Sequence, residues 1–388
     1  MLRISRFRQV LEGLPRGQFD RTVERLGANK YSKGFGRWDQ FVAMAYLQLS
    51  GASSLRTAVT GYNSQYAHHY HLDTAPLKRS TLADANSRRD PAVFAELAQQ
   101  LMHQANRQIR QQGQALLYLL DASSITLKGL GFDGWTHGQR TRNTQGLKLH
   151  TLLHHGQQIP VAAAITAANV NDIDHGRTIP LQAGATYVFD KGYCDYNWWH
   201  RIDQHGAYFV TRFKRNAGLR LVEQRTVGND PQVRADELVR FAHSHPRGGA
   251  RNHYRQPLRR IVIDRPDHAS DLVLATNDLN SSAEQIAERY KQRWAIELFF
   301  KWIKQHLQIK RFIGRSENAV RTQLLVALIT YLLVAVYHQA SRFNGSLWEC
   351  LFMLRTTLFQ RPQTEAQLYR RRRRHAQIWA QCQPELFT

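Results

Sequence analysis

The 388-residue sequence has few acidic residues and very few cysteines. It contains 30 Asp and Glu against 53 Lys and Arg, a formal net charge of +23 at pH 7. So large an excess of positive charge calls for a polyanionic partner, and nucleic acid is the foremost candidate. The three cysteines, Cys194, Cys350 and Cys382, are far apart. Their spacing supports neither a disulfide framework nor a zinc cluster, and it fits a reducing cytosol.

Membrane signals and several catalytic motifs are also missing. The N-terminus is too polar for a signal peptide, and no long basic amphipathic helix stands out. The longest apolar run, 324–337, is shorter than a bilayer span, so we predict a buried helix there. There is no internal repeat, glycine-rich phosphate loop or GxSxG motif. We therefore predict a globular cytosolic protein that binds no membrane.

The most informative stretch runs from Tyr290 to Lys304. It contains no Pro or Gly, so the sequence predicts one helix. At about 100° per residue, one face about 80° wide carries a carboxylate, a tyrosine and three cations. These are Tyr290, Arg293, Glu297, Lys301 and Lys304. The opposite face, predicted to pack on the core, carries Ala295, Ile296, Leu298, Phe299, Trp302 and Ile303. Such a polar face suits a site that binds both a metal ion and a phosphate backbone. A solvent-exposed face with ion pairs between its side chains explains the same pattern equally well.

The rest of the chain predicts an α/β protein with a mixed sheet. Residues 1–112 are predicted to be a helical DNA-binding region, and 113–214 the first part of an α/β core. A mostly β insertion follows over 215–280, then a core helix over 281–315 and a helical region over 316–388. The predicted core strands are Leu116–Leu120, Leu147–His154, Ile159–Ala167, Tyr187–Phe189 and Ala207–Lys214. Those of the insertion are Arg220–Val227, Leu258–Asp264 and Asp271–Thr276.

Two aspartates stand where apolar strands are predicted to end. Asp121 follows the first strand and Asp190 follows the fourth. In an open α/β sheet the carboxyl ends of neighbouring central strands form the usual site. With Glu297 from a helix packed on that sheet, three acids could bind two magnesium ions for phosphoryl transfer. Each Asp taken alone is more often a turn or cap residue.

These motifs resemble bacterial insertion-sequence transposases of the DDE class, and most closely the group called the insertion-sequence-four family. The family signature Tyr-x2-Arg-x3-Glu-x6-Lys is matched at every spacing by Tyr290, Arg293, Glu297 and Lys304. Leu120-Asp121-Ala-Ser-Ser124 and Asp190-Lys-Gly-Tyr193 resemble its first and second acidic motifs, and Leu149-His150 also looks family-like. The resemblance covers residues 80–315 well and residues 1–75 less specifically.

The resemblance implies a ribonuclease-H-like core flanked by helical regions. It implies that Asp121, Asp190 and Glu297 bind Mg²⁺, for which Mn²⁺ can substitute. Tyr290, Arg293 and Lys304 would hold phosphates near the transposon end, and Lys301 and Trp294 are further DNA-binding candidates. The partners would be double-stranded DNA, as inverted-repeat ends and target, and a second subunit in the DNA complex. The protein would work at the nucleoid in the bacterial cytosol.

Three functions fit these motifs. Related enzymes cut and paste DNA, typically through a hairpin that needs a flipped base stacked on an aromatic ring. Trp294, Trp135 and Trp198 are the candidates for that ring. The alternatives are a non-catalytic or inhibitory transposase derivative that binds DNA, and a metal-dependent nuclease without strand transfer.

Overall fold

The protein is described here by a computed structural model. It describes residues 4–227, 230–245, 250–266 and 270–361, with residues 370, 372–374 and 377–378 beyond them. Residues 1–3, 228–229, 246–249 and 267–269 and most of the region after 361 lie outside the described residues. The chain divides into two compact units. The terminal unit comprises Met1–Leu82 and Leu333–Thr388, and the sheet unit comprises Ala83–Leu332.

Helices make up most of the terminal unit, and other helices pack on the sheet within the sheet unit. In chain order they are α1 (Arg6–Leu11), α2 (Arg16–Arg25), α3 (Arg37–Ser50), α4 (Leu55–Asn63), α5 (Arg79–Arg88), α6 (Ala92–Gln111), α7 (Asp133–Thr136), α8 (Asp172–Gly176), α9 (Tyr196–Gln204), α10 (Ala283–Lys291), α11 (Trp294–His306), α12 (Glu317–Ala340) and α13 (Leu347–Thr357).

One mixed sheet of nine strands forms the centre of the sheet unit. The strands are β1 (Leu117–Thr126), β2 (Gly146–His154), β3 (Ile159–Ala167), β4 (Thr186–Phe189), β5 (Tyr208–Arg212), β6 (Leu219–Gln224), β7 (Val233–Phe241), β8 (Leu258–Ile263) and β9 (Leu272–Thr276). Their order is β3-β2-β1-β4-β5-β9-β8-β7-β6. β1, β4 and β5 are parallel, and the other neighbours are antiparallel. The predicted α/β fold with a mixed sheet and helical regions is confirmed.

Alternation along the strands places aromatic residues in a core between the sheet and α9. Tyr118 and Leu120 of β1 and Phe189 of β4 belong to this core, together with Trp198 and Trp199 of α9. Asp195 caps α9 by accepting a hydrogen bond from the backbone N–H of Trp198 at 2.7 Å. Because Trp198 is only 1% exposed, it packs the core and is not available to stack a flipped base, contrary to its candidacy above.

The apolar run 324–337 lies in α12, as predicted. This 24-residue helix is long and apolar enough to cross a membrane, but 83% of its apolar window is buried inside the structure. Helix α12 is thus the buried helix that the sequence predicts.

The single helix predicted over 290–304 is wrong. The structure has two helices, α10 and α11, with a turn at residues 292–293. The backbone N–H groups of Arg293, Ala295 and Ile296 each bond to the carbonyl three residues earlier, which tightens the chain there. Leu298, predicted to be in the core, is 48% exposed, whereas Ile296, Phe299 and Ile303 are buried as predicted. No Pro or Gly marks the turn, so local propensity could not reveal it.

The insertion continues the central sheet through β6–β9. Its longest strand, β7, was not predicted, because its Arg, Asp and Glu residues obscure the alternation of a strand. The acid Asp236 is buried in this strand because it pairs with Arg259 of β8, at 2.7 and 2.5 Å. Both side chains are 3% exposed. Arg259 also donates to the carbonyl of Ser281, just before α10, so this pair links the insertion to that helix.

We predict that Asp236→Ala lowers the free energy of unfolding by about 3–5 kcal/mol, because it leaves a buried guanidinium uncompensated. Chemical denaturation of the full chain measures this. Asp264→Asn is the control, since Asp264 pairs at 2.8 Å with Arg234, whose side chain is 56% exposed, and it should leave the midpoint unchanged. Equal losses in the two variants would contradict the assignment of a stabilising role to the buried pair.

Candidate active site

Strand register places Asp121 and Asp190 side by side. The parallel pairing of β1 with β4 ends at Leu120 opposite Phe189, and the two aspartates are the next residues. Asp121 does not end its strand, contrary to the sequence prediction. β1 continues to Thr126 by antiparallel pairing with β2, where Asp121 lies opposite Thr151. Because β4 stops while β1 continues, the edge beside Asp121 is open.

Glu297 reaches the same edge from α11, which packs against β1. Asp121 and Glu297 line a cleft of 420 Å³ together with three lysines, Lys301, Lys304 and Lys310. Asp190 lines a second cleft of 1290 Å³, whose cations include Lys191, Arg212, Lys214 and Arg260. We call these the lysine cleft and the arginine cleft. The acids thus lie among the cations that a polyanion would need.

Two arginines lie beside the three acids and offset part of their negative charge. Arg293 Nη2 lies 2.6 Å from Glu297 Oε1, and Arg293 Nη1 lies 3.9 Å from Asp121 Oδ2. Arg212 Nη2 lies 4.0 Å from Asp190 Oδ2. Sequence reasoning missed Arg212, and its place as the last residue of the parallel strand next to Asp190 is the signal that could have found it.

Burial raises the pKa of Asp121 from its ordinary 3.8 to about 6. The backbone N–H of Ala122, 2.8 Å from Asp121 Oδ1, and the charge of Arg293 lower this pKa, whereas the charges of Asp190 and Glu297 raise it further. The three acids therefore lie close enough to influence one another's ionisation.

The donor set fits a hard divalent cation. Carboxylate oxygens are the ligands that Mg²⁺ and Mn²⁺ prefer. Burial and the charges of Asp190 and Glu297 raise the pKa of Asp121, and a bound cation would favour its ionised form. In the described part of the chain, no three His, Cys, Asp or Glu side chains are close enough to hold a metal as they stand. Arg293 lies between Asp121 and Glu297 instead.

The other predicted DNA-binding residues surround these acids. Tyr290, on α10, is 9% exposed, and the guanidinium of Arg293 lies 6.0 Å from its ring centre. Lys304 Nζ donates to the carbonyl of Ser124 at 3.2 Å, and burial and Lys310 lower its pKa. Lys301 is exposed in the lysine cleft, and Trp294 is 58% exposed. The turn between α10 and α11 thus brings together residues that one helical face was expected to carry.

Comparison with known proteins identifies this arrangement. A family described as the transposase DDE domain matches residues 112–333, more than half of the chain. The chain belongs to the DDE transposase family. It is a DDE-type DNA transposase that binds DNA, and its family depends on divalent metal ions. Residues 3–73 match a second family, described only as a domain of unknown function.

Curated relatives agree with this membership. The transposase is 42% identical to the putative transposase y4zB of Sinorhizobium fredii over 72% of this chain and 77% of the relative. It is 29% identical to a probable transposase for the insertion sequence element IS5377 of Geobacillus stearothermophilus, over 64% and 65% of the two chains. It is 28% identical to a putative transposase for the element IS4SA of Synechocystis, over 66% and 70%. These relatives are consistent with the insertion-sequence-four family.

A piggyBac transposase synaptic complex with hairpin DNA aligns with a TM-score of 0.47 and 11% identity. The alignment covers 94% of this transposase and 83% of that chain.

The raised pKa of Asp121 predicts a pH-dependent stability. Because the folded-state pKa of about 6 exceeds the ordinary 3.8, the folded chain binds this proton more tightly than the unfolded chain. The free energy of unfolding therefore falls as the pH rises from about 4 to about 6. Asp121→Asn removes this loss, so the variant should gain up to about 3 kcal/mol over wild type at pH 7 and nothing near pH 4.

Thermal and chemical unfolding of both proteins in the presence of a chelator measures this difference. If the difference in the free energy of unfolding between variant and wild type does not change with pH, burial does not raise the pKa of Asp121.

Proposed function

We propose that Asp121, Asp190 and Glu297 are the catalytic carboxylates, that they bind Mg²⁺, and that Mn²⁺ can replace it. The adjacency of Asp121 and Asp190, with Glu297 sharing Arg293 with Asp121, is the observation that supports this most strongly. When bound, such ions activate the attacking oxygen and stabilise the leaving oxygen of phosphoryl transfer. The reaction proposed is cut-and-paste transposition, in which cleavage of the transposon end is followed by strand transfer into target DNA.

DNA binding would free the carboxylate of Glu297 for the metal ion by drawing Arg293 away from it. In the structure its guanidinium neutralises Glu297 and lies near Asp121. A guanidinium also binds phosphate in a bidentate fashion. A DNA phosphate entering the lysine cleft would compete for Arg293 and release Glu297. Tyr290 would help to hold that phosphate, because its hydroxyl interacts with both Arg212 and Arg293.

The lysines of the cleft would hold the DNA backbone. Lys304, anchored on β1 through Ser124, is fixed beside Asp121 and Glu297. Lys301, one turn earlier on α11, offers a mobile point charge in the same cleft. Contacts of this kind position the scissile phosphate without reading sequence.

The substrates and assembly follow from the same proposal. The DNA would be the inverted-repeat ends of the element and its target, held by two subunits that each supply one active site. Trp294, exposed at the start of α11, is the candidate to stack a base flipped during a hairpin step. Trp135 is less suited, since its indole N–H already donates to the carbonyl of Arg315 at 2.8 Å. The helical region 1–112 would bind the transposon ends, and the protein would act at the nucleoid in the bacterial cytosol.

We predict that Glu297→Gln lowers the rate of DNA cleavage by at least about a hundredfold, since stabilisation of the transferred charge is worth several kcal/mol. DNA binding should persist, because no cation is lost. Cleavage of a labelled duplex and a mobility-shift titration measure the two effects. Glu288→Gln, on the exposed side of α10 with its side chain 59% exposed, is the matched control. Cleavage that survives Glu297→Gln would exclude Glu297 from the triad.

We predict that Lys304→Gln weakens DNA binding about equally for all sequences and lowers the slope of log affinity against log salt by about 1. A salt titration of binding measures this slope. Lys291, whose side chain is 82% exposed and which lines neither cleft, provides the control variant Lys291→Gln. Unchanged salt dependence in Lys304→Gln would remove Lys304 from the phosphate contacts.

Excision in cells tests the whole proposal. A marker would be flanked by the DNA ends that border this gene, and wild type would be compared with Glu297→Gln. Loss of the marker with reinsertion elsewhere, in wild type only, is the expected result. Cutting without joined products would instead indicate a nuclease. Tight binding to those ends without excision would indicate a non-catalytic derivative.

A further inference from the structure

A fourth carboxylate, Asp172, lies beside Asp190. It is the first residue of α8, and both aspartates line the arginine cleft. Gly192 lies between them, because a Cβ built on Gly192 would be 2.8 Å from Asp190 Oδ1 and 3.8 Å from Asp172 Oδ2. The two carboxylates therefore lie on either side of Gly192, where no side chain separates them.

Lys148 fixes the orientation of Asp172. Its Nζ lies 2.9 Å from Asp172 Oδ1 and 2.8 Å from the carbonyl oxygen of Val170. One oxygen of Asp172, Oδ1, is thereby occupied, and the other, Oδ2, lies on the side of Gly192. Two carboxylates in this arrangement repel each other unless a cation joins them. Arg212, at 4.0 Å from Asp190 Oδ2, is too far for a close ion pair.

The buried hydroxyl of Tyr193 is a second, independent observation that indicates a ligand beside Asp172 and Asp190. Its side chain is 1% exposed, and its hydroxyl has no hydrogen-bond partner in the part of the chain that the structure describes. The hydroxyl interacts electrostatically with Asp172, Asp121 and Asp190, so it is directed at the acids. A buried hydroxyl without a partner is costly. Gly176 allows α8 to approach, since a Cβ there would lie 3.1 Å from the Tyr193 ring.

We propose that Asp172 is a further acidic residue of the metal site, which shares a divalent cation with Asp190 through its Oδ2. Lys148 then limits the negative charge that Asp172 contributes, and Tyr193 completes the polar surroundings of the ion. This inference rests on the proposed metal-binding role of Asp190. The alternative is that Asp172 serves only to begin α8 and to pair with Lys148.

Binding of Mn²⁺ to the full-length protein, alone and with a duplex carrying the element's ends, tests the inference. The free ion is followed by electron paramagnetic resonance. Asp172→Asn is expected to weaken Mn²⁺ binding at least about tenfold, a loss typical of metal-site carboxylates. Asp174→Asn, two residues later on α8, is the matched control, because Asp174 is 50% exposed and pairs with Arg177. It should leave Mn²⁺ affinity unchanged.

Lys148→Gln gives a second test that does not require Asp172→Asn to fold. If Asp172 binds the ion, loss of Lys148 frees its second oxygen and strengthens Mn²⁺ binding, and the gain disappears in the double variant with Asp172→Asn. If Lys148 and Asp172 form only a structural ion pair, Lys148→Gln and Asp172→Asn should lose equal thermal stability and leave Mn²⁺ affinity unchanged. That result would overturn the inference. Weakened binding in Asp190→Asn but not in Asp172→Asn would also overturn it and leave the triad intact. Unchanged binding in Asp121→Asn and Asp190→Asn would instead refute the proposed triad.

Discussion

Two carboxylates cannot lie side by side at the end of a parallel strand pair unless positive charge accompanies them. The register of β1 and β4 forces Asp121 and Asp190 into this position, and much of the surrounding structure supplies the compensation. Arg212 extends from the next parallel strand, and Arg293 comes from the turn between α10 and α11. The fold therefore holds a concentration of negative charge at the edge where two clefts open, and cations or protonation of Asp121 relieve it.

The need for positive charge beside these carboxylates also explains why a strongly basic protein has several acidic residues clustered at the edge of its sheet. A net charge of +23 brings a polyanion to the surface, whereas the acids repel phosphate unless a metal ion joins the two. Arginine is suited to lie between them, because its planar fork matches both carboxylates and phosphates. Arg293 can therefore neutralise Glu297 in the free protein and a phosphate in the DNA complex. Binding of DNA and binding of metal are expected to be coupled through this one side chain, and such coupling is reciprocal.

Particular elements show where sequence reasoning succeeded. The strands of the core were predictable because each is an apolar run ended by turn residues, and the buried helix α12 because it is apolar all round. β7 was not predictable, because Asp236 is buried through a partner, Arg259, that lies 23 residues later. The turn between α10 and α11 was also missed, since it arises without Pro or Gly. Leu298 was assigned to the wrong face, because on α11 it points away from the buried Ile296, Phe299 and Ile303.

The sequence by itself determined the chemistry of this transposase, namely which acids and cations are present, at what spacings, and on which elements. Those spacings are the same in every conformation of the chain, because they are properties of its covalent structure. The tertiary structure alone decided which charges meet. It ended the β1–β4 pairing at Asp121, brought Arg212 to Asp190, and set Arg293 between two acids. It also placed Asp172 across Gly192 from Asp190. These contacts depend on strand register and on a local helix break, which long-range packing selects and which no local pattern encodes.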